Sequence, residues 1–203
     1  MKKKEIMIYI GILCMVVVIA LGTYKIAYEL NYERRLNEIL QDDVEIEKKW
    51  LINAKDVPYD LSEAKIFKIE QTYICFSPEM RVRRINDGEQ YTFTLKTNMT
   101  DDGMQRDEKE FEITKDEYEN LLSKKEGNTI YKTRYQLLKD EQIIAIDIFE
   151  EDLKGLAYLE IEFANQEEAN KFQLPDWVIK DVTSDKNYKN GYLARYGIPK
   201  ESI

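Results

Sequence analysis

The chain contains no histidine. That removes serine–histidine and cysteine–histidine nucleophilic dyads, HExxH zinc hydrolases and most imidazole acid–base mechanisms in one step. Whatever chemistry it performs must run on carboxylates, lysine and arginine. Cysteine is almost as scarce: Cys14 and Cys75 are too few for a disulfide framework or a cysteine zinc site. Glycine and proline number only 8 and 4 among 203 residues, so few breakers interrupt the chain. Positive charge is also in deficit: 30 Lys and Arg against 39 Asp and Glu leave a net charge of -9. A general nucleic-acid coat needs a basic surface, so no nucleic-acid partner is expected and any anion site must be local.

One long apolar run is present. From Ile6 to Tyr24 no residue is charged, and ten of them are Ile, Val or Leu. At about 1.5 Å per residue a helix of this length nearly spans a ~30 Å hydrocarbon core. A single uncleaved membrane anchor over residues 1–24 is expected. A cleaved signal peptide is the rival reading, but Ala20-Leu21-Gly22 is a poor cleavage site and the run exceeds a usual signal core. Lys2, Lys3 and Lys4 before the run nearly balance Lys25, Arg34 and Arg35 after it, so flanking charge does not fix orientation. A cytoplasmic domain is expected. Residues 25–42 read as a helical juxtamembrane stalk ending at Gln41-Asp42-Asp43, and one domain occupies 43–203.

Beyond residue 43 period-two segments recur: Val44–Ile52, Ile66–Cys75, Met80–Ile85, Gln90–Thr97, Lys109–Ile113, Ile130–Leu138, Gln142–Phe149 and Leu156–Phe163. Asn86-Asp87-Gly88 and Lys139-Asp140-Glu141 read as hairpin turns. Thr114-Lys115-Asp116-Glu117 and Asn165-Gln166-Glu167-Glu168 open short helices, and a last helix is expected near Ser184–Tyr196. The class is α+β with sheet dominating.

The alternating residues carry charge. Glu45, Glu47 and Lys49 share one strand face; Arg81 and Arg83 share another; Lys96, the pair Glu110 and Glu112, Lys132 with Arg134, Asp147, and Glu160 with Glu162 follow on later strands. In an open sheet these would be ordinary wet faces. In a closed one they would line a lumen, where like charges persist only against a bound counter-ligand or metal. Two glutamates two residues apart on a strand lie about 6.6 Å apart at Cα, near enough to converge on one hard divalent cation. Mg²⁺ or Mn²⁺ shares its shell with phosphate oxygens, while Arg and Lys grip the remaining ones. A small phosphate-chain ligand suits both halves of the set.

The run Glu45-Ile46-Glu47-Lys48-Lys49, followed in order by Arg81-Val82-Arg83, Thr94-Leu95-Lys96, Glu110-Phe111-Glu112, Lys132-Thr133-Arg134, Asp147, Glu160-Ile161-Glu162 and Lys186, resembles the signature of the CYTH family of triphosphate tunnel metalloenzymes. The resemblance implies an eight-stranded antiparallel barrel around a polar tunnel, with a few flanking helices. It implies metal-dependent hydrolysis of a terminal phosphoanhydride, the substrate being inorganic triphosphate, ATP or thiamine triphosphate. Glu45, Glu47, Glu160, Glu162, Asp147 and Glu110 would be metal ligands for Mg²⁺ or Mn²⁺; Lys49, Arg81, Arg83, Lys96, Arg134 and Lys186 would clamp phosphate; Glu45, Glu47, Lys49 and Glu162 would carry catalysis. One departure stands out: where the family often has arginine, two residues before the Glu110 pair, this chain has Glu108. Two other readings stay open, adenylate cyclisation from the same tunnel and a non-catalytic, membrane-tethered polyphosphate or nucleotide binder. Oligomeric state is not legible.

Overall fold

A computed structural model describes residues 3–40, 44–98 and 105–200, with side chains from Cys14 onward except those of Val44, Glu45, Asn98, Gln105 and Arg106. The stalk's end at Gln41-Asp42-Asp43 lies outside the described residues.

A single helix, α1 (Lys3–Ile39), carries both the apolar run and the stalk without a break. Strands β1 (Val44–Ile52), β2 (Lys65–Phe76), β3 (Glu79–Ile85), β4 (Gln90–Asn98) and β5 (Gln105–Glu112) follow. Then come α2 (Lys115–Leu122), β6 (Glu126–Lys139), β7 (Gln142–Phe149), β8 (Ala157–Glu162), α3 (Gln166–Lys171), β9 (Val178–Asp181) and α4 (Asn190–Tyr196). The two expected hairpin turns join β3 to β4 and β6 to β7; Asp87 and Gly88 at the first hold φ of 59° and 106°. The capping box at α2 is formed, with Thr114 Oγ1 accepting from the Glu117 amide and Glu117 from the Thr114 amide.

All strand pairs are antiparallel, in the order β5-β4-β3-β2-β6-β7-β8-β1-β9, and β1 also reaches β5. Eight strands thus curl round until the ends of the run meet. Among the described residues the seam is short: Val44, Glu45 and Ile46 pair with β5, and further along β1 gives the same edge to β9 through Trp50, Leu51 and Ile52. Among the described residues the barrel is therefore closed by hydrogen bonds at the start of β1, and the ninth strand is an addition to the eight expected.

Period-two alternation sorts the side chains. Ile46, Trp50, Ile52, Leu137, Ile144, Ile146, Leu159 and Ile161 face outward into a core covered by α3, Phe172 and the 53–64 loop. The opposite faces are divided. Leu51, Tyr73, Ile130, Phe149 and Tyr158 form an apolar cluster with Tyr188 and Leu193 at the α4 end. Towards the start of β1 the same faces become charged. Gly127 permits the α4 contact, since a Cβ there would stand 2.7 Å from the Ala194 carbonyl oxygen.

The stalk half of α1 docks on the barrel rather than standing free. Tyr28 Oη accepts from the Leu138 amide at 2.9 Å, Tyr32 Oη donates to Gln136 at 2.9 Å, and Arg35 bonds Gln142 at 2.8 Å and also Glu168. The other half is unlike it: Met15, Val16, Val18, Ile19 and Leu21 are each more than half exposed. From Cys14 to Ile39, 26 residues, α1 is long and apolar enough to cross a membrane by length and composition.

Candidate active site

Inside the barrel lies a cavity of about 540 Å³ whose walls are charged. Glu47, Glu160, Glu162 and Arg134 line one side, from β1, β8 and β6; Arg81, Arg83, Lys96, Glu108, Glu110 and Glu112 line the other, from β3, β4 and β5. Strand register explains the grouping. Glu47 lies opposite Glu162 and Lys49 opposite Glu160 across β1 and β8, while Lys96 faces Glu108 and Thr94 faces Glu110 across β4 and β5.

Lys49, Arg81, Arg83, Lys96 and Arg134 each have a carboxylate neighbour. Lys49 Nζ stands 2.9 Å from Glu160 and 3.3 Å from Glu47, and its backbone is pinned by Thr183, just beyond β9. Burial alone would favour a neutral Lys49, but Glu160 and Glu47 outweigh it and raise its pKa above the ordinary lysine value. Burial likewise opposes ionisation of Glu160, yet Lys49, Arg134 and Lys132 hold its carboxyl well below the usual range. Arg134 binds Asp147 through two nitrogens at 2.7 and 2.8 Å and also reaches Glu160. On the far wall Arg83 meets Glu110 at 3.0 Å, and Thr94 donates to the same carboxylate at 2.7 Å.

The expected site residues are not all in one place. Glu47, Glu160, Glu162, Glu110, Arg81, Arg83, Lys96 and Arg134 share the cavity wall. Lys49 sits beneath it, buried against Glu160. Asp147 departs from the expected set: it is fully buried, bonds Lys132 and Arg134, and does not line the cavity, so it supports Arg134 from behind. Lys186 also departs, lying exposed on the turn before α4 and away from the wall, whereas Lys189 and Asn190 line it. The Glu45 side chain lies outside the described residues. Sequence reasoning missed Glu79, Lys189 and Asn190 as lining groups; Lys189 and Asn190 lie where the last turn meets the start of α4, without strand periodicity, while Glu79 continues the alternation of Arg81 and Arg83 by one step.

Among the described residues no three carboxylates are gathered tightly enough to enclose an ion. Their chemistry nevertheless fits Mg²⁺ or Mn²⁺: Glu47 and Glu162 stand at paired positions, offer oxygen donors only, and face the cavity that Arg81, Arg83 and Lys96 also line.

The chain belongs to the CYTH family, whose domain model matches residues 43–185. It is 34% identical over 154 residues to an inorganic triphosphatase of Nitrosomonas europaea, covering 74% of this chain and 96% of that protein. An inorganic triphosphatase of Acetivibrio thermocellus is 32% identical over 154 residues, covering 74% and 93%. A crystal structure of an inorganic triphosphatase superposes with a TM-score of 0.53 at 31% identity, covering 74% of this chain and 93% of that one.

Proposed function

We propose that this protein is a triphosphatase that hydrolyses the terminal phosphoanhydride of a triphosphate bound in the barrel, inorganic triphosphate being the first candidate. The carrying observation is the pairing of Glu47 with Glu162 on one wall of a cavity whose other wall presents Arg81, Arg83 and Lys96. The relatives that are inorganic triphosphatases support the same reading.

In this proposal Arg81, Arg83, Lys96 and Arg134 bind and orient the phosphate chain, exchanging carboxylate partners for phosphate oxygens. Lys49 keeps Glu160 and Glu47 in place from below. Glu47 and Glu162, with Glu45 and Glu160, would hold Mg²⁺ or Mn²⁺. When bound, such an ion neutralises phosphate charge and makes a coordinated water easier to deprotonate. Without histidine, the carboxylates are the groups available to accept the proton of an attacking water.

We further propose that α1 tethers the domain to a membrane as a single-pass anchor, with the enzyme on the cytoplasmic side. The exposed apolar half of α1 supports this, because such a surface is costly in water. The test is phosphate release by the full chain in detergent micelles from inorganic triphosphate, ATP and thiamine triphosphate, with Mg²⁺, Mn²⁺ or chelator. Metal-stimulated release from at least one is expected; no release from any would reject the activity.

A further inference from the structure

Glu108 lines the cavity beside two of the cations proposed to bind phosphate and is in contact with both. Its Oε2 lies 2.5 Å from Lys96 Nζ and its Oε1 3.3 Å from Arg81 Nη2. The two cationic side chains are only 4% exposed, while Glu108 is 21% exposed and lines the cavity. An incoming phosphate therefore meets cations that already have a carboxylate partner. Arg81 also has Glu79 at 3.3 Å, and Arg83 has Glu110 at 3.0 Å, so this wall is internally neutralised.

We propose that Glu108 is a specificity-determining residue, a built-in counter-anion that occupies Lys96 and Arg81 and must surrender them when a triphosphate enters. This rests on the triphosphatase reading above. Two physical consequences follow. The cations are held inward and ordered before substrate arrives, so less side-chain freedom is lost on binding. Against that, the carboxylate competes for them and then lies beside an anion of its own sign, which weakens binding more than the ordering helps. The Glu108 carboxylate is in contact with both cations and so competes for them directly. The net effect is selection for ligands with enough phosphate charge to displace it.

The experiment is calorimetric binding of inorganic triphosphate to the full chain in detergent micelles with chelator present, for wild type and Glu108→Gln. The variant is expected to bind at least about tenfold more tightly, or about 1.4 kcal/mol. In turnover with metal, KM should fall by a larger factor than kcat changes. A merely structural role predicts loss of affinity, so unchanged or weaker binding by a folded Glu108→Gln would overturn the proposal. Should that variant fail to fold, Glu108→Asp serves, because the shorter carboxylate cannot span both cations; about threefold tighter binding is expected, and no gain would overturn it. Binding needs no turnover, so a chain that binds triphosphate without releasing phosphate rejects the catalytic reading while Glu108 is still measured. Absence of binding by both wild type and variant rejects both.

Discussion

Arg134 joins Asp147 to Glu160, bonding one carboxylate on β7 through two nitrogens at 2.7 and 2.8 Å and the other on β8 through the same guanidinium. Lys132 meets Asp147 from the same strand as Arg134. Removing Asp147 leaves the buried Lys132 without its carboxylate and takes from Arg134 the two bonds that orient it. Asp147→Ala is expected to destabilise the fold by about 3–5 kcal/mol, the usual cost of leaving a buried charge without its partner. Urea denaturation followed by circular dichroism checks this, and a loss below about 1 kcal/mol would contradict it.

The carboxylates of Glu160, Glu108 and Glu110 are held below the ordinary value of 4.5, despite burial, by Lys49, Lys96 and Arg83 among others. Near and below that value the unfolded chain binds more protons than the folded one, so stability rises with pH there. The contribution is present above the ordinary carboxylate value and is lost as pH falls through the lower folded values. Tm is expected to drop steeply on acidification from about pH 5 to pH 3. Glu160→Gln, even where it folds, should flatten that slope.

Lys132 gives a dependence of the same sign in a more alkaline window. Burial, opposed by Asp147, pushes its pKa from the usual 10.5 down to about 8. Between those values the unfolded chain again carries the extra proton, so this group adds stability as pH rises from about 8 to about 10.5. Lys132→Met should remove the dependence in that window, measurable as a flatter Tm against pH.

Glu47→Ala and Glu162→Ala are expected to abolish metal-stimulated phosphate release, by at least about a hundredfold, with folding retained. Arg83→Ala and Lys96→Ala should instead raise KM and lower kcat together, each by about tenfold or more, since binding and transition-state charge use the same side chains. Steady-state kinetics on inorganic triphosphate separate the two patterns. Full turnover by either glutamate variant would remove that residue from the proposed metal set.

How much of this was legible in the sequence follows from the reach of each signal. The eight alternating segments match β1 to β8 within a few residues because a strand writes its two faces every second position. Val178–Asp181 escaped: four residues are too few for alternation to register, and β9 exists because β1 needs an edge partner where β5 leaves it. Glu47, Lys49, Glu160 and Glu162 were readable because they sit within such strands. Lys189 was not, since it reaches the cavity from a turn, and Lys186, matched by order along the chain, lies outside the cavity. The docking of Tyr28, Tyr32 and Arg35 joins residues more than a hundred positions apart, which no local pattern encodes.

That docking makes α1 a rod instead of a leash. Its last residue, Ile39, and the Leu40 that follows form part of the cavity wall, and no break separates them from the bare apolar half. From Tyr24 to Ile39 the helix rises by about 22 Å. A tilt or piston stroke at one end is therefore delivered to the chamber at the other, and a flexible glycine spacer placed between them would disconnect the two.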